Sequence, residues 1–182
     1  MKKIQVLFLL LTVACGTAGK IGWENVPPFL NTEKKILFYD FQMKYKNKQV
    51  DGLLLVERNA VNKPRFVLTS HFGVSLFDLE GTEDGYTTHF AIDFPDKKKA
   101  LDLVWKDLSL LYDPSAGIGY APIRNSEGKV ETLQSGTGIY KTKMKMENYK
   151  EGYPKNIKIE HPLLQVSLFL TRAESVEETL YY

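Results

Sequence analysis

Apolar and polar residues alternate along most of the chain. Leu37, Tyr39, Phe41, Met43 and Tyr45 are apolar while Asp40, Gln42 and Lys44 separate them, the two-residue period of a β-strand with one wet face. Lys46-Asn47-Lys48 turns the chain into a second strand, Val50 to Glu57, followed by the polar loop Arg58 to Pro64. Arg65 to Glu80 reads as a hairpin whose two β-rich arms meet at Ser70-His71-Phe72-Gly73, where Gly73 supplies the freedom that a tight reversal needs. A fifth strand is predicted with Tyr86, Thr88, Phe90, Ile92 and Phe94 on one face. At Pro95-Asp96 the period changes: Ala100, Leu101, Val104, Trp105, Leu108 and Leu111 follow i, i+3, i+4 spacing. One amphipathic helix results, from Asp96 to Leu111, with Asp96 placed to cap it and Asp113-Pro114 to end it. Residues 113–136, rich in Gly, Pro, Ser and Asn, predict a long loop. Alternation returns between Gly138 and Asn148, with Tyr140, Thr142, Met144 and Met146 on the apolar face. The last pair runs Ile157 to Glu160 and Leu163 to Arg172, parted at His161-Pro162, and in its second member Leu164, Val166, Leu168 and Leu170 share a face.

Five strands, a helix, a loop and three more strands predict a mainly β (α+β) fold. One antiparallel sheet too long to stay flat curls into an unclosed half-barrel, with the helix as a lid over its apolar face. The face would be lined from the first strand by Tyr39, Phe41 and Met43, from the fifth by Phe90 and Ile92, and from the helix by Leu101, Val104, Trp105 and Leu108. Met144, Met146, Leu164, Val166 and Leu168 complete it from the last strands. Aromatic and methionine side chains adapt to irregular space, so this set suits a cavity for a flexible apolar guest as well as a filled core.

Hairpin tips normally carry small polar residues, because a large apolar group there gains nothing from the core. Phe72 breaks that rule. Either the turn folds back and buries the ring, or the two arms form one bent strand, or the ring meets a membrane or an acyl chain.

The 182 residues are 43% hydrophobic and 25% charged, the composition of one ordinary folded domain. Met1-Lys2-Lys3 and the apolar run Ile4 to Val13 read as a signal peptide over residues 1–14, too short to span the roughly 30 Å hydrocarbon layer. Leu11-Thr12-Val13-Ala14-Cys15-Gly16 resembles the lipobox of bacterial lipoproteins, which implies lipidation of Cys15, the chain's single cysteine. Gly16-Thr17-Ala18 is the alternative, an ordinary secretory cleavage site. Residues 15–33 read as a tether with Trp23 and Phe29 as docking points, 34–172 as the domain and 173–182 as a flexible tail. Removing Lys2 and Lys3 with the signal leaves 22 basic and 22 acidic residues, so the formal net charge drops from +2 to 0. A neutral domain has no electrostatic footprint for nucleic acid, and attachment to a membrane would come from lipid on Cys15. The expected location is the bacterial cell envelope, at the outer membrane.

Candidate chemistry is thin. His71, His89 and His161 fall at no metal-ligand spacing, and adjacent Ser70 and His71 on a strand point to opposite faces, so they cannot act as nucleophile and base. No catalytic residue, metal or cofactor is expected.

Arg65-Phe-Val-Leu-Thr-Ser-His-Phe-Gly73 and Pro154-Lys-Asn-Ile-Lys-Ile-Glu160, in this order of elements, resemble the LolA/LolB-like family of bacterial lipoprotein-trafficking proteins, and most of all its outer-membrane receptors of the LolB type. The resemblance implies an unclosed barrel with a helical lid, an exposed apolar residue at the position of Phe72, and lipid or lipoprotein acyl chains as ligand, handed over by a periplasmic carrier protein. An adaptor with a filled core that binds a protein partner is the competing expectation.

Overall fold

The alternation becomes strands at nearly every place where it occurs. The computed structural model describes residues 26–30, 36–59, 62–93, 96–116 and 122–173. Its elements are β1 (Ile36–Tyr45), β2 (Lys48–Arg58), β3 (Pro64–Thr69), β4 (Ser75–Gly81), β5 (Tyr86–Ala91), α1 (Lys97–Tyr112), β6 (Ile123–Arg124), β7 (Val130–Ser135), β8 (Thr142–Lys150), β9 (Tyr153–His161) and β10 (Val166–Arg172). Two single-turn 3₁₀ helices span Pro114–Ala116 and Gly138–Tyr140. The ten strands form one sheet in the order β5-β4-β3-β2-β1-β10-β9-β8-β7-β6, antiparallel throughout. Each hairpin pairs strands adjacent in sequence, and β10 returns to β1 in the middle. β5 and β6 are left as free edges, so the sheet is unclosed.

Strand parity decides what is buried. On one face Tyr39 and Phe41 of β1, Leu54 and Val56 of β2, and Phe66 and Leu68 of β3 are buried. Across β10 the same face continues through Leu168 and Leu170, Ile157 and Ile159 of β9, and Met144 and Met146 of β8. The sheet curls toward this face: the rings of Phe41 on β1 and Phe77 on β4 meet edge-on at 6.4 Å although two strands lie between them. Gly52, opposite Phe41, lets β2 bend, because a Cβ there would run into the carbonyl oxygen of Thr69. Register shifts at Leu68/Thr69 and Asp78/Leu79 add curvature on the same flank.

Several expectations are corrected. Leu79 pairs with Thr88 and Asp78 with Phe90, so His89 is an extra residue in β5. The bulge reverses the alternation beyond it: Ala91 packs against the core, whereas Phe90 is 46% exposed and Ile92 is likewise exposed. Neither lines the enclosed face, and Phe94 lies outside the described residues. Leu164 sits in the turn between β9 and β10, its N–H donating to the His161 carbonyl, because Pro162 delays the strand until Val166. Tyr140 belongs to a 3₁₀ turn and is exposed. β7 lies within the predicted loop 113–136. Its apolar positions are only Val130 and Leu133, and pairing with β8, not intrinsic pattern, makes it a strand.

The tether expected over residues 15–33 ends sooner than its sequence suggests. Val26, Phe29 and Leu30 are buried in the core, and the Phe29 N–H donates to the Leu111 carbonyl at 2.9 Å, so this segment closes the C-terminal end of α1. At the other end Asp96 adopts a left-handed backbone (φ 55°) and makes no side-chain cap; its carboxylate pairs with Lys99 instead.

Gly52→Ala is expected to destabilise the fold by about 1–3 kcal/mol, the usual cost of forcing atoms into a filled site. Urea unfolding would measure it, and a change below about 0.5 kcal/mol, as for ordinary surface sites, would show that this close approach does not shape the sheet.

Candidate functional site

α1 is the element around which candidate chemistry collects. Its apolar stripe, Leu101, Val104, Leu108 and Leu111 with Leu110, is buried against the sheet. On the β3–β5 flank Trp105 is half-buried, stacked on Tyr86 at 5.0 Å and meeting Phe66 edge-on at 5.4 Å. Gly81 completes this seat, since a Cβ there would approach the indole to 3.2 Å. The Tyr86 hydroxyl donates to Asp102 Oδ1 at 2.7 Å, which fastens β5 to the first half of the helix. Lys98 and then Tyr86 hold the Asp102 carboxyl below its usual range, and burial, followed by Asp102, pushes the Tyr86 phenol up.

The opposite flank is held by a polar contact. Asp107 lies on the buried side of α1, and its Oδ2 is 2.6 Å from His161 Nε2 at the end of β9. His161 Nδ1 is 3.3 Å from Thr142 Oγ1 on β8, whose hydroxyl donates to the Tyr140 carbonyl. Asp107, His161 and Thr142 are each only 1% exposed. With the hydroxyl hydrogen on Tyr140, Thr142 accepts from Nδ1–H, and the short Nε2–Oδ2 contact needs one further proton between the two groups. Asp107 Oδ1 has no partner among the described residues. A threonine, histidine and aspartate in series suggest nucleophilic chemistry, but solvent does not reach the hydroxyl in this arrangement. What the trio does is join α1 to β8 and β9.

Sequence reasoning missed this group, although the signal was there. Asp107 interrupts the apolar stripe three residues after Val104, and His161 continues the inward parity of Ile157 and Ile159.

The expected lining residues fall into three groups. Tyr39, Phe41, Leu101, Val104, Leu108, Met144, Met146 and Leu168 are buried on the concave face; Met43 and Trp105 are partly buried against it. Val166 is half-buried at the start of β10, and Leu164, Phe90 and Ile92 lie elsewhere, as described above. Burial raises the Tyr39 phenol to about 12. Two pockets, of about 420 and 130 Å³, lie apart from these residues. The larger is lined mainly by polar residues, among them Asn59, Lys63, Glu80 and His89. There Asn59 and then His89, 2.6 Å from Glu80, hold the Glu80 carboxyl below its usual range.

Phe72 stands at the tip of the β3–β4 hairpin and is 95% exposed. The tip is ordered by three hydrogen bonds: Gly73 N–H to the Ser70 carbonyl, Ser70 N–H to the Val74 carbonyl, and Val74 N–H to Ser70 Oγ. Gly73, at φ 79°, takes the left-handed conformation the reversal demands. The ring is therefore presented to solvent by a defined loop.

No cluster of three or more His, Cys, Asp or Glu side chains able to hold a metal occurs among the described residues, and no helix there is long and apolar enough to cross a membrane. The expected signal peptide over residues 1–14, Cys15, Trp23 and the expected tail from Glu174 lie outside the described residues. No family model matches the chain, and no curated protein sequence is significantly similar to it.

Two outcomes follow for the buried trio. His161→Leu leaves Asp107 buried without its partner and should cost about 3–5 kcal/mol in chemical unfolding, whereas Asp107→Leu with His161→Leu should recover most of that loss. Burial holds the Asp107 carboxyl above its usual range, offset in part by His161. The folded chain therefore keeps this proton to higher pH than the unfolded chain. The resulting stability is complete below the unfolded value of about 3.9 and is lost as pH rises through the folded one. Melting curves across this window should show the wild type losing stability relative to Asp107→Asn, which has no proton to give up. Parallel curves for the two proteins would exclude the linkage.

Proposed function

We propose that this chain is a lipid-anchored envelope protein that takes up acyl chains of lipid or lipoprotein beneath α1 and passes them to the outer membrane, in the manner of the LolB-type receptors that it resembles. The observation that carries the reading is Phe72, an aromatic ring held almost fully in solvent by a hydrogen-bonded turn. The mainly β, unclosed sheet with one helix over its apolar face supports it. Lipid on Cys15 would keep the domain beside the bilayer, so that the modest energy of burying one ring, about 1.5–3 kcal/mol, becomes useful.

The apolar face is occupied by α1, so a guest must compete with the helix. Five buried aliphatic side chains on α1 contribute about 8–15 kcal/mol at about 1.5–3 kcal/mol each. An acyl chain of about 14–16 methylenes, at about 0.8 kcal/mol each, brings about 11–13 kcal/mol. These magnitudes match closely enough for exchange of helix against lipid. The same packing also favours the second reading, an envelope adaptor with a permanently filled interior, whose exposed tip binds a protein partner.

Native mass spectrometry of the purified chain separates the two: copurifying lipid is expected from the carrier and none from the adaptor. Phe72→Glu should leave stability within about 1 kcal/mol of wild type, as for other exposed positions, while abolishing transfer of lipid or lipoprotein to liposomes. A stable Phe72→Glu protein with full transfer would sink the role given to the ring. Cys15→Ala should release the protein from the membrane fraction, and failure of labelled palmitate to enter the wild type would reject the anchor.

A further inference from the structure

The two ends of the curled sheet differ in chemistry. Antiparallel pairing brings four hairpin turns to one end: residues 46–47 between β1 and β2, 70–74 between β3 and β4, 136–141 between β7 and β8, and 162–165 between β9 and β10. The register makes three of them level, since Tyr45 pairs with Val166, Val166 with His161, and Lys143 with Glu160 beside Ser135–Thr142. The Phe72 turn is offset along β2, where Thr69 meets Leu53, a stagger expected when strands tilt around a curled sheet.

Every one of these turns, or a residue bordering it, exposes a large apolar side chain: Tyr45, Phe72 with Val74, Ile139 with Tyr140, and Leu163. None of the four turns contains Asp or Glu. Their cations are Lys46 in the first turn, bordered by Lys44 and Lys48, and Lys141 beside Tyr140. At the opposite end the turns 82–85, 125–129 and 151–152 contain Glu83, Asp84, Glu127 and Glu151 with Lys129 as their one lysine and no large apolar residue, while the fourth turn there, 59–63, carries Lys63 and no acid. The link from β5 to α1 also reaches the apolar end; its acids Asp93 and Asp96 are matched by Lys97 and Lys99.

Separate rings on separate turn tips, interspersed with lysines, are poorly suited to a protein partner, which needs one contiguous complementary patch. They suit a bilayer. Tyrosine settles at headgroup depth, phenylalanine and leucine reach the acyl boundary, lysine extends to lipid phosphates, and each tip can dip independently. The absence of acids from the four turns is the charge complementarity that an anionic surface requires.

We infer that the whole turn-bearing end of the half-barrel, at Tyr45, Phe72, Ile139, Tyr140 and Leu163, is a docking surface for an anionic lipid bilayer. This rests on the reading that the protein works at a membrane, and extends contact from one ring to a rim that sets the domain's orientation. The sheet would stand end-on, with its acidic turns facing away from the lipid.

The test uses the full chain with Cys15→Ser, so that no acyl anchor contributes. A single cysteine is introduced at Ile139→Cys, Leu163→Cys or, at the opposite end, Glu83→Cys, and carries an environment-sensitive nitrobenzoxadiazole label. Phosphatidylcholine vesicles containing phosphatidylglycerol should raise emission several-fold, with a blue shift, at positions 139 and 163 and leave position 83 unchanged. Lys46→Glu with Lys48→Glu should weaken that response at least about tenfold in vesicle affinity, from roughly one lysine-sized contribution per site. An equal response at position 83 would overturn the orientation. No response at 139 and 163 would overturn the docking surface and leave this end to a protein partner. Labels that respond on a protein carrying no copurifying lipid would remove the carrier reading while leaving the docking surface intact.

Discussion

An unclosed sheet with one apolar face needs something to hold its two flanks together, and in this molecule that is α1. β5 and β6 never pair with each other, so the curl of the ten strands depends on what crosses the concave side. The helix grips the two flanks by different chemistries. Trp105 seats among Tyr86, Phe66 and Gly81 on one side, an apolar and shape-dependent contact. Asp107 meets His161 on the other, a buried hydrogen-bonded contact that tolerates little displacement at 2.6 Å. Val26 to Leu30 then cover the helix end, with Phe29 supplying a donor for the Leu111 carbonyl.

This division has consequences for any motion of the helix. Apolar packing loosens gradually as side chains slide, whereas a buried hydrogen-bonded pair is either made or broken. The β8–β9 side is thus the sharper of the two attachments. A guest that displaced α1 would have to satisfy or protonate Asp107 and His161 as well as replace the aliphatic stripe. Asp107 Oδ1, without a partner among the described residues, leaves this pair incompletely satisfied.

The outer face and the ends carry a separate set of features. Arg65 bridges Asp78 and Glu57 across β2, β3 and β4, stiffening the flank from which the Phe72 turn projects. A loop that must present a ring to solvent gains from such a base, because an exposed phenylalanine would otherwise fold back onto the nearest apolar surface.

Much of this was legible in the residues. Period-two alternation located eight strands and the change of period at Pro95-Asp96 located α1, because both signals follow from side-chain geometry and survive any tertiary context that buries one face. The exposed Phe72 was likewise readable as an anomaly of turn composition. Other features depended on contacts between distant segments. The bulge at His89, which sends Phe90 and Ile92 outward, is set by the register of β5 on β4. β7 becomes a strand because β8 offers it hydrogen bonds. Asp107 and His161, 54 positions apart, carry no local sign of one another, and only the path of α1 across the sheet brings them together. That the turns bearing Tyr45, Phe72, Ile139, Tyr140 and Leu163 share one end of the sheet is of the same kind. Local sequence determines which turns expose an apolar ring, but which end of the sheet each turn reaches is decided by strand order and direction.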